Sequence, residues 1–321
     1  MKTKLSTYSI RVCILLLLAL LPLSCIKDDS VSKETATVTM TFSTRAINSS
    51  VSSADDLEVN EHMRTLRVIV ARQNGEILYN VKYGIAEGET SKSIKFSEMT
   101  VNAEGEAFHF YAIANEDGVG YTEKSWDKVT IADLKSMNLQ SGFLTNANDV
   151  SENTMIPQTA YQQITVMPQS GGGIQTKTMT LDFAVSKVRL TIHNTSAGNQ
   201  YVNDIILSGL NMASTPLFAG ESLSIENQDE LSLDNMTVPA GKSATVYAYF
   251  FENMESNYIL SASWNGTKTL DITHAVTPNI TQISRGTALD INITLNASTE
   301  PEFNIEVVPW ETVEVDVPPF N

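Results

Sequence analysis

The segment Ala36-Thr37-Val38-Thr39-Met40-Thr41-Phe42 alternates apolar and threonine side chains without a break. A period of two places Ala36, Val38, Met40 and Phe42 on one face, so the segment reads as a half-buried strand. It stops at Ser43-Thr44-Arg45. Residues 46–62 (AINSSVSSADDLEVNEH) are small, polar and acidic, which is loop composition. The chain then returns to the same pattern. Leu66, Val68 and Val70 restart a strand, Asn74-Gly75 marks a hairpin turn, and Glu76 to Tyr83 supplies the returning strand.

Further strands are expected at 93–96, 107–114, 205–207, 244–251, 258–264, 267–272, 288–295 and 303–308, with a second hairpin turn at Asn265-Gly266. Residues 177–194 are long enough for one bent strand or two. Thr130 to Met137 is the best helix candidate, with Thr130 as N-cap and Asp133 at the third helical position. Strands do not alternate with helices of 10–15 residues, so a parallel α/β sheet is excluded. The expectation is an all-β protein with one or two short helices, built as β-sandwiches. Gln169-Ser-Gly-Gly-Gly173 is the clearest break in composition and suggests a domain boundary near residue 172. The alternative is a hairpin tip within one domain.

The first residues read as an address. Lys2, Lys4 and Arg11 form a positive region, and Val12 to Leu21 is an apolar run of ten residues. A membrane-spanning helix needs roughly 20, so the run is the core of a signal peptide, residues 1–24. It closes at Leu23-Ser24-Cys25, which resembles a bacterial lipoprotein lipobox and implies acylation of Cys25 as the mature N-terminus. The following Ile26-Lys27-Asp28-Asp29 is similar to the surface-export signal of Bacteroidetes lipoproteins and implies the outer face of the outer membrane. Residues 25–45 would then be a lipid tether followed by the alternating strand.

Composition narrows the chemistry. The chain has 321 residues, with 21 Lys+Arg against 37 Asp+Glu and a net charge of -16, the opposite of a nucleic-acid footprint. Its two cysteines, Cys13 and Cys25, both fall in the first 25 residues, so the body has no disulfide, thiol nucleophile or thiolate metal site. The four histidines are isolated from one another. Glu61-His62 lacks the second histidine of a zinc-protease helix. Asn115-Glu-Asp-Gly118 lacks the alternating oxygen ligands of a calcium loop and reads as a turn. His109 sits within a strand pattern. No nucleophile elbow, P-loop or dinucleotide fingerprint occurs. The expectation is no catalytic residue, no metal, no cofactor and no enzymatic activity.

Several stretches together resemble the fimbrillin superfamily of Bacteroidales, the subunits of type V pili. They are Leu66-Arg-Val-Ile-Val70 with Asn74-Gly-Glu-Ile-Leu78, and Phe110-Tyr-Ala-Ile-Ala-Asn-Glu116. To these add Leu181-Asp-Phe-Ala-Val-Ser-Lys-Val-Arg-Leu190 and Arg285-Gly286 with Ile291-Asn-Ile-Thr-Leu295. The last is Val308-Pro-Trp-Glu311. The resemblance implies two transthyretin-like β-sandwich domains in tandem, residues 46–172 and 173–321. It also implies assembly. A trypsin-like, arginine-specific protease would cut between Arg45 and Ala46 and remove the strand carrying Ala36, Val38, Met40 and Phe42. A donor strand from another pilin subunit would refill the groove. The donor candidate is 303–317, where Phe303, Ile305 and Val307 alternate, Pro309 intervenes, and Val313, Val315 and Val317 alternate again. The partners implied are other pilin subunits, the protease and the outer membrane, in a homopolymer or a mixed fimbria.

Alternatives share these features. Arg45 is an ordinary surface residue in one, and 303–317 is an edge strand of the second domain in another. A fimbrial anchor would keep its lipid. A monomeric glycan-binding surface lipoprotein would need an exposed aromatic platform, for which Trp126 or Trp264 are candidates. An outer-membrane hydrolase using paired carboxylates has no feature in its favour beyond acidity.

Overall fold

The computed structural model describes residues 33–44, 57–149, 154–169, 174–219, 229–253, 258–265, 268–271, 282–296 and 301–309. Cys25, Arg45, Ala46, Trp310, Val313, Val315 and Val317 lie outside them. The first sandwich opens with β1 (Lys33–Thr44), β2 (Thr65–Arg72), β3 (Ile77–Gly84), β4 (Ser91–Asn102) and β5 (Glu106–Ala114). A short helical excursion follows: α1 (Glu123–Trp126), α2 (Ile131–Ser136), the three-residue β6 (Asn138–Gln140) and α3 (Ser141–Asn148). The chain re-enters the sandwich with β7 (Gln158–Val166) and β8 (Gln175–Phe183).

The seven strands run in the order β3-β2-β5-β7-β8-β1-β4. β7 and β8 pair only at Gln158↔Phe183 and Thr159↔Asp182. One core joins the two halves. Val38, Met40, Phe42, Phe96 and Leu181 come from one side, and Leu66, Val68, Val70, Phe108 and Phe110 from the other. β2 is apolar on both faces, because Val68 and Val70 face that core while Ile69 lies under the helical excursion. The Asn74-Gly75 hairpin is as expected, with Gly75 at a φ of 90° that a side chain would disfavour. The expected helix also forms. Thr130 Oγ1 accepts from the Asp133 amide at 3.2 Å, and Asp133 Oδ2 accepts from the Thr130 amide at 2.8 Å.

The second sandwich contains β9 (Ser186–Asn194), β10 (Gln200–Leu210), β11 (Ser214–Pro216), β12 (Asp229–Leu233) and β13 (Met236–Val238). It continues with β14 (Ser243–Phe250), β15 (Ile259–Trp264), β16 (Lys268–Asp271), β17 (Thr287–Leu295) and β18 (Glu302–Pro309). One sheet has the order β14-β9-β17-β18 and the other β12-β10-β15-β16, and their inner faces share a single core. The two domains repeat one plan. In each, the first strand lies between an antiparallel neighbour and a later strand that runs parallel to it: β4 and β8 around β1, β14 and β17 around β9.

The change of domain falls at Ala184-Val185 and not near residue 172. The glycines at 171–173 join β7 to β8, two strands of the same domain. The true link is apolar because it is buried: Ala184 and Val185 are both 0% exposed, inside a third core that the domains share with α1–α3. Residues 177–194 are therefore two strands that belong to different domains. A fragment ending at Gly172 lacks β8 and leaves β1 with one neighbour. It is expected to lose cooperative urea unfolding, whereas a fragment ending at Val185 retains it.

The groove beneath the first strand, a candidate functional site

β1 is held on both sides. It pairs antiparallel with β4 from Lys33↔Asn102 to Ser43↔Ser91 and parallel with β8 from Val38↔Gln175 to Thr44↔Leu181. A bulge between Ala36 and Val38 sets the register. Ala36, Val38, Met40 and Phe42 are each 0% exposed, so the sequence alternation maps directly onto the core face. On the other face Thr41 Oγ1 hydrogen-bonds Ser93 Oγ at 2.9 Å. The Thr44 amide donates to Thr90 O at 3.1 Å. Ser43 Oγ and Thr44 Oγ1, at the end of the strand next to Arg45, are buried without a hydrogen-bond partner.

The chemistry of this site is adhesion of one strand. Burying Val38, Met40 and Phe42 contributes roughly 1.5–3 kcal/mol each. Among the described residues, β1 is joined to the rest of its domain through its C-terminal end alone. The described chain resumes at Leu57 and is held there by hydrogen bonds. Asn60 O accepts from the Ile156 amide at 2.7 Å, and Gln158 Nε2 donates to Glu61 O at 2.9 Å.

Glu61 is the centre of the contact between domains. Its carboxylate is 1% exposed, accepts from Lys187 Nζ at 2.7 Å and from Tyr249 Oη at 2.9 Å, and so ties the segment before β2 to β9 and β14. Lys187 Nζ also lies 4.6 Å from the centre of the Tyr247 ring. β6 and β11 add a two-stranded clasp across the same junction. Arg285 closes it from the second domain, donating to Glu252, to Thr215 Oγ1 and to the Pro216 and Leu217 carbonyls. Nothing in the sequence near Glu61 marked this role. Lys187 lies in a stretch singled out for other reasons.

The remaining candidates are structural. Phe303, Ile305 and Val307, expected as part of a donor strand, sit in β18, paired with β17 of their own domain. Phe303 and Ile305 pack on the second core, and Val307 is 36% exposed. Asn115 to Gly118 form a turn. The Asn115 side chain donates to the His62 and Ile156 carbonyls, Glu116 is buried against the Arg67 guanidinium, and a Cβ on Gly118 would meet Phe143 at 2.9 Å. Opposing effects act on Arg67. Burial alone would lower its pKa, but hydrogen bonds and charge from Glu116 and Glu123 leave it raised. His109 Nδ1 meets Tyr161 Oη at 2.9 Å. Trp126 and Trp264 are 1% and 3% exposed, so neither forms a sugar platform. Among the described residues no cluster of three or more His, Cys, Asp and Glu side chains gathers to hold a metal.

The overall fold has counterparts among solved structures. A C-terminally truncated tip fimbrial protein from Porphyromonas gingivalis superposes with a TM-score of 0.54 at 11% identity, over 85% of this chain and 100% of that one. The likeness is one of fold. A fimbrial assembly protein from Parabacteroides distasonis gives 0.51 at 14% identity, over 87% and 100%. A candidate cell adhesion protein from Bacteroides eggerthii gives 0.54 at 13%, over 86% and 96%. No protein-family model and no curated protein sequence matches the chain.

Two outcomes follow from the geometry. Phe42→Ala removes a ring from a fully buried position and is expected to lower stability by about 3–5 kcal/mol in chemical denaturation. At high pH the junction titrates. Burial, then the Glu61 charge, pushes the Tyr249 hydroxyl well above its ordinary pKa of 10.0, and burial with Glu58 raises Tyr247 to about 12. Folded-state values above the unfolded one mean this stability is complete below pH 10 and is lost as pH rises through about 12. Melting temperature is expected to fall steeply across that window, less so in Tyr249→Phe.

Proposed function

We propose that the protein is a structural, stalk-type subunit of a cell-surface fimbria, with no catalytic activity. It is exported as a lipoprotein on Cys25, activated by an arginine-specific protease that cuts between Arg45 and Ala46, and assembled by donor-strand exchange in support of adhesion. The observation that carries this reading is β1 itself. A strand that completes a core from both sides is followed in sequence by Arg45 and by a largely small, polar and acidic stretch, 46–56. Solved structures of similar fold include a fimbrial assembly protein and a tip fimbrial protein, which supports a fimbrial role.

The physical logic is complementation. Loss of β1 uncovers the apolar groove and leaves β4 and β8 with unpaired backbone groups along the facing edges. A strand supplied by another subunit repairs both, through main-chain pairing and alternate side chains in the groove. Because Phe303, Ile305 and Val307 are engaged by β17, the donor role falls on Val313, Val315 and Val317. A monomeric glycan receptor finds no support in the buried Trp126 and Trp264.

The test is the mature N-terminus in fibres sheared from cells. Chains starting at Ala46, in species that resist SDS, are the expected result. Sheared fibres that lack the protein, or contain only chains starting at lipidated Cys25, would overturn the stalk reading. Val315→Asp is expected to leave folding intact and to reduce incorporation of the next subunit at least tenfold, about the cost of placing a carboxylate in an apolar groove.

A further inference from the structure

The second domain carries a cavity that takes no part in the groove beneath β1. It lies on the outer face of the sheet β14-β9-β17-β18, has a volume of about 880 Å3 and falls within the size range of small-molecule sites. The side chains that line it are mostly those that the strand alternation turns away from the core. Strand pairing sets them in rows across β9, β17 and β18. One row is Arg189, Asp290 and Glu306, and the next is Thr191, Asn292 and Asn304. With neighbouring strands about 4.8 Å apart, each row spans roughly 10 Å, the scale of a disaccharide.

Two features of these rows are not explained by folding. Asp290 and Glu306 stand directly opposite each other, and like charges at such positions destabilise a sheet. Asp290 is 5% exposed, and Arg189 fixes it on the floor of the cavity, with Nε donating to Oδ1 at 3.1 Å and Nη2 donating to Oδ2. Beside this pair, the side chains of Asn292, Asn304 and Thr294 make no hydrogen bond to a described residue.

The lining discriminates between classes of ligand. Arg189 and Lys242 are set against Asp290, Glu302 and Glu306, so negative charge prevails and an anion is disfavoured. Phe303, the large apolar side chain of the described lining, packs on the core and offers little to a lipid. The site is a face of the sheet and not an edge, so it gives a peptide strand no main-chain partners. Amides, hydroxyls, carboxylates and a guanidinium set side by side present donors and acceptors together. A sugar hydroxyl both donates and accepts, and so can use both.

We propose that this cavity binds a short, uncharged oligosaccharide, held by hydrogen bonds with Asn292, Asn304 and Glu306 over the Arg189–Asp290 pair. Saccharide binding stands on the cavity alone. Its use in adhesion rests on the fimbrial reading above, in which subunits repeated along a fibre would turn a weak site into an avid surface.

Saturation-transfer NMR on the full-length protein tests this. Mannotriose, maltotriose and lacto-N-tetraose are the neutral probes, and inorganic phosphate is the anion. At least one neutral probe is expected to bind. The double variant Asn292→Ala, Asn304→Ala is expected to weaken that binding at least about tenfold with an unchanged melting temperature. Thr294→Arg, which fills the cavity without touching either asparagine, is expected to weaken it likewise. Binding by none of the neutral probes, binding by phosphate alone, or affinity unchanged in both variants overturns the proposal. The fimbrial reading is tested separately, by the mature N-terminus in sheared fibres, and each can fail without the other.

Discussion

The pairing of β1 with β4 on one side and β8 on the other holds the first domain closed. The strand is part of the core and part of the sheet at once, so its loss cannot be absorbed by small adjustments. A domain short of its first strand has an open apolar trench and two rows of unpaired backbone groups. Within one chain the tether keeps the strand at high effective concentration beside its groove, and any competitor from another molecule faces that advantage. Severing the tether removes the advantage without removing a single contact. On the proposed reading, the segment that lets the precursor fold also blocks its assembly, and proteolysis would convert a stable monomer into an acceptor.

Both domains follow one strand order, yet only one can work this way. β9 is the counterpart of β1 in the second sandwich, but it continues directly from β8 through Ala184-Val185, which are buried in the junction. No loop there is open to a protease. The domains are also locked to each other around Glu61, Lys187 and Tyr249. That lock sits just downstream of the polar loop. A chain that begins at Ala46 would still be pinned from Asn60 onward, so the cut would free β1 and leave the junction as it was. The junction fixes the spacing between the two domains, which the proposed fibre subunit would need.

How far the sequence could be read depended on whether a feature was local. The alternation from Ala36 to Phe42, the Asn74-Gly75 turn and the Thr130 cap are written within a few residues, and each forms as expected. β7 was missed because Gln158, Gln162 and Gln163 break its apolar pattern, while its inward residues, Ile164 and Val166, come late in the strand. The glycines at 171–173 lie between two strands of one sheet, and the reason is physical. Glycines mark freedom of the backbone, which a wide strand connection can use, whereas a link buried between two domains must be apolar. The Glu61 junction is assembled from residues more than 120 positions apart, and no spacing rule finds such a cluster. Phe303, Ile305 and Val307 alternate as a donor would, but an edge strand at home has the same alternation. Only the pairing with β17 separates the two.

β1 is not equally secure along its length. Its C-terminal half, Val38–Ser43, pairs with both neighbours. At its exit, Ser43 Oγ and Thr44 Oγ1 are buried without partners, and each such hydroxyl costs about 1–3 kcal/mol relative to a satisfied one. The strain lies at the end that leads into Arg45. The opposite end, Lys33–Thr35, pairs with β4 alone and carries no core side chain, whereas Met40 and Phe42 lie next to the exit. In the proposed exchange, release would begin at Lys33, where one neighbour holds the strand, and proceed towards Thr44. An incoming strand entering from that side would meet the Ala36 position first and the large Phe42 pocket last.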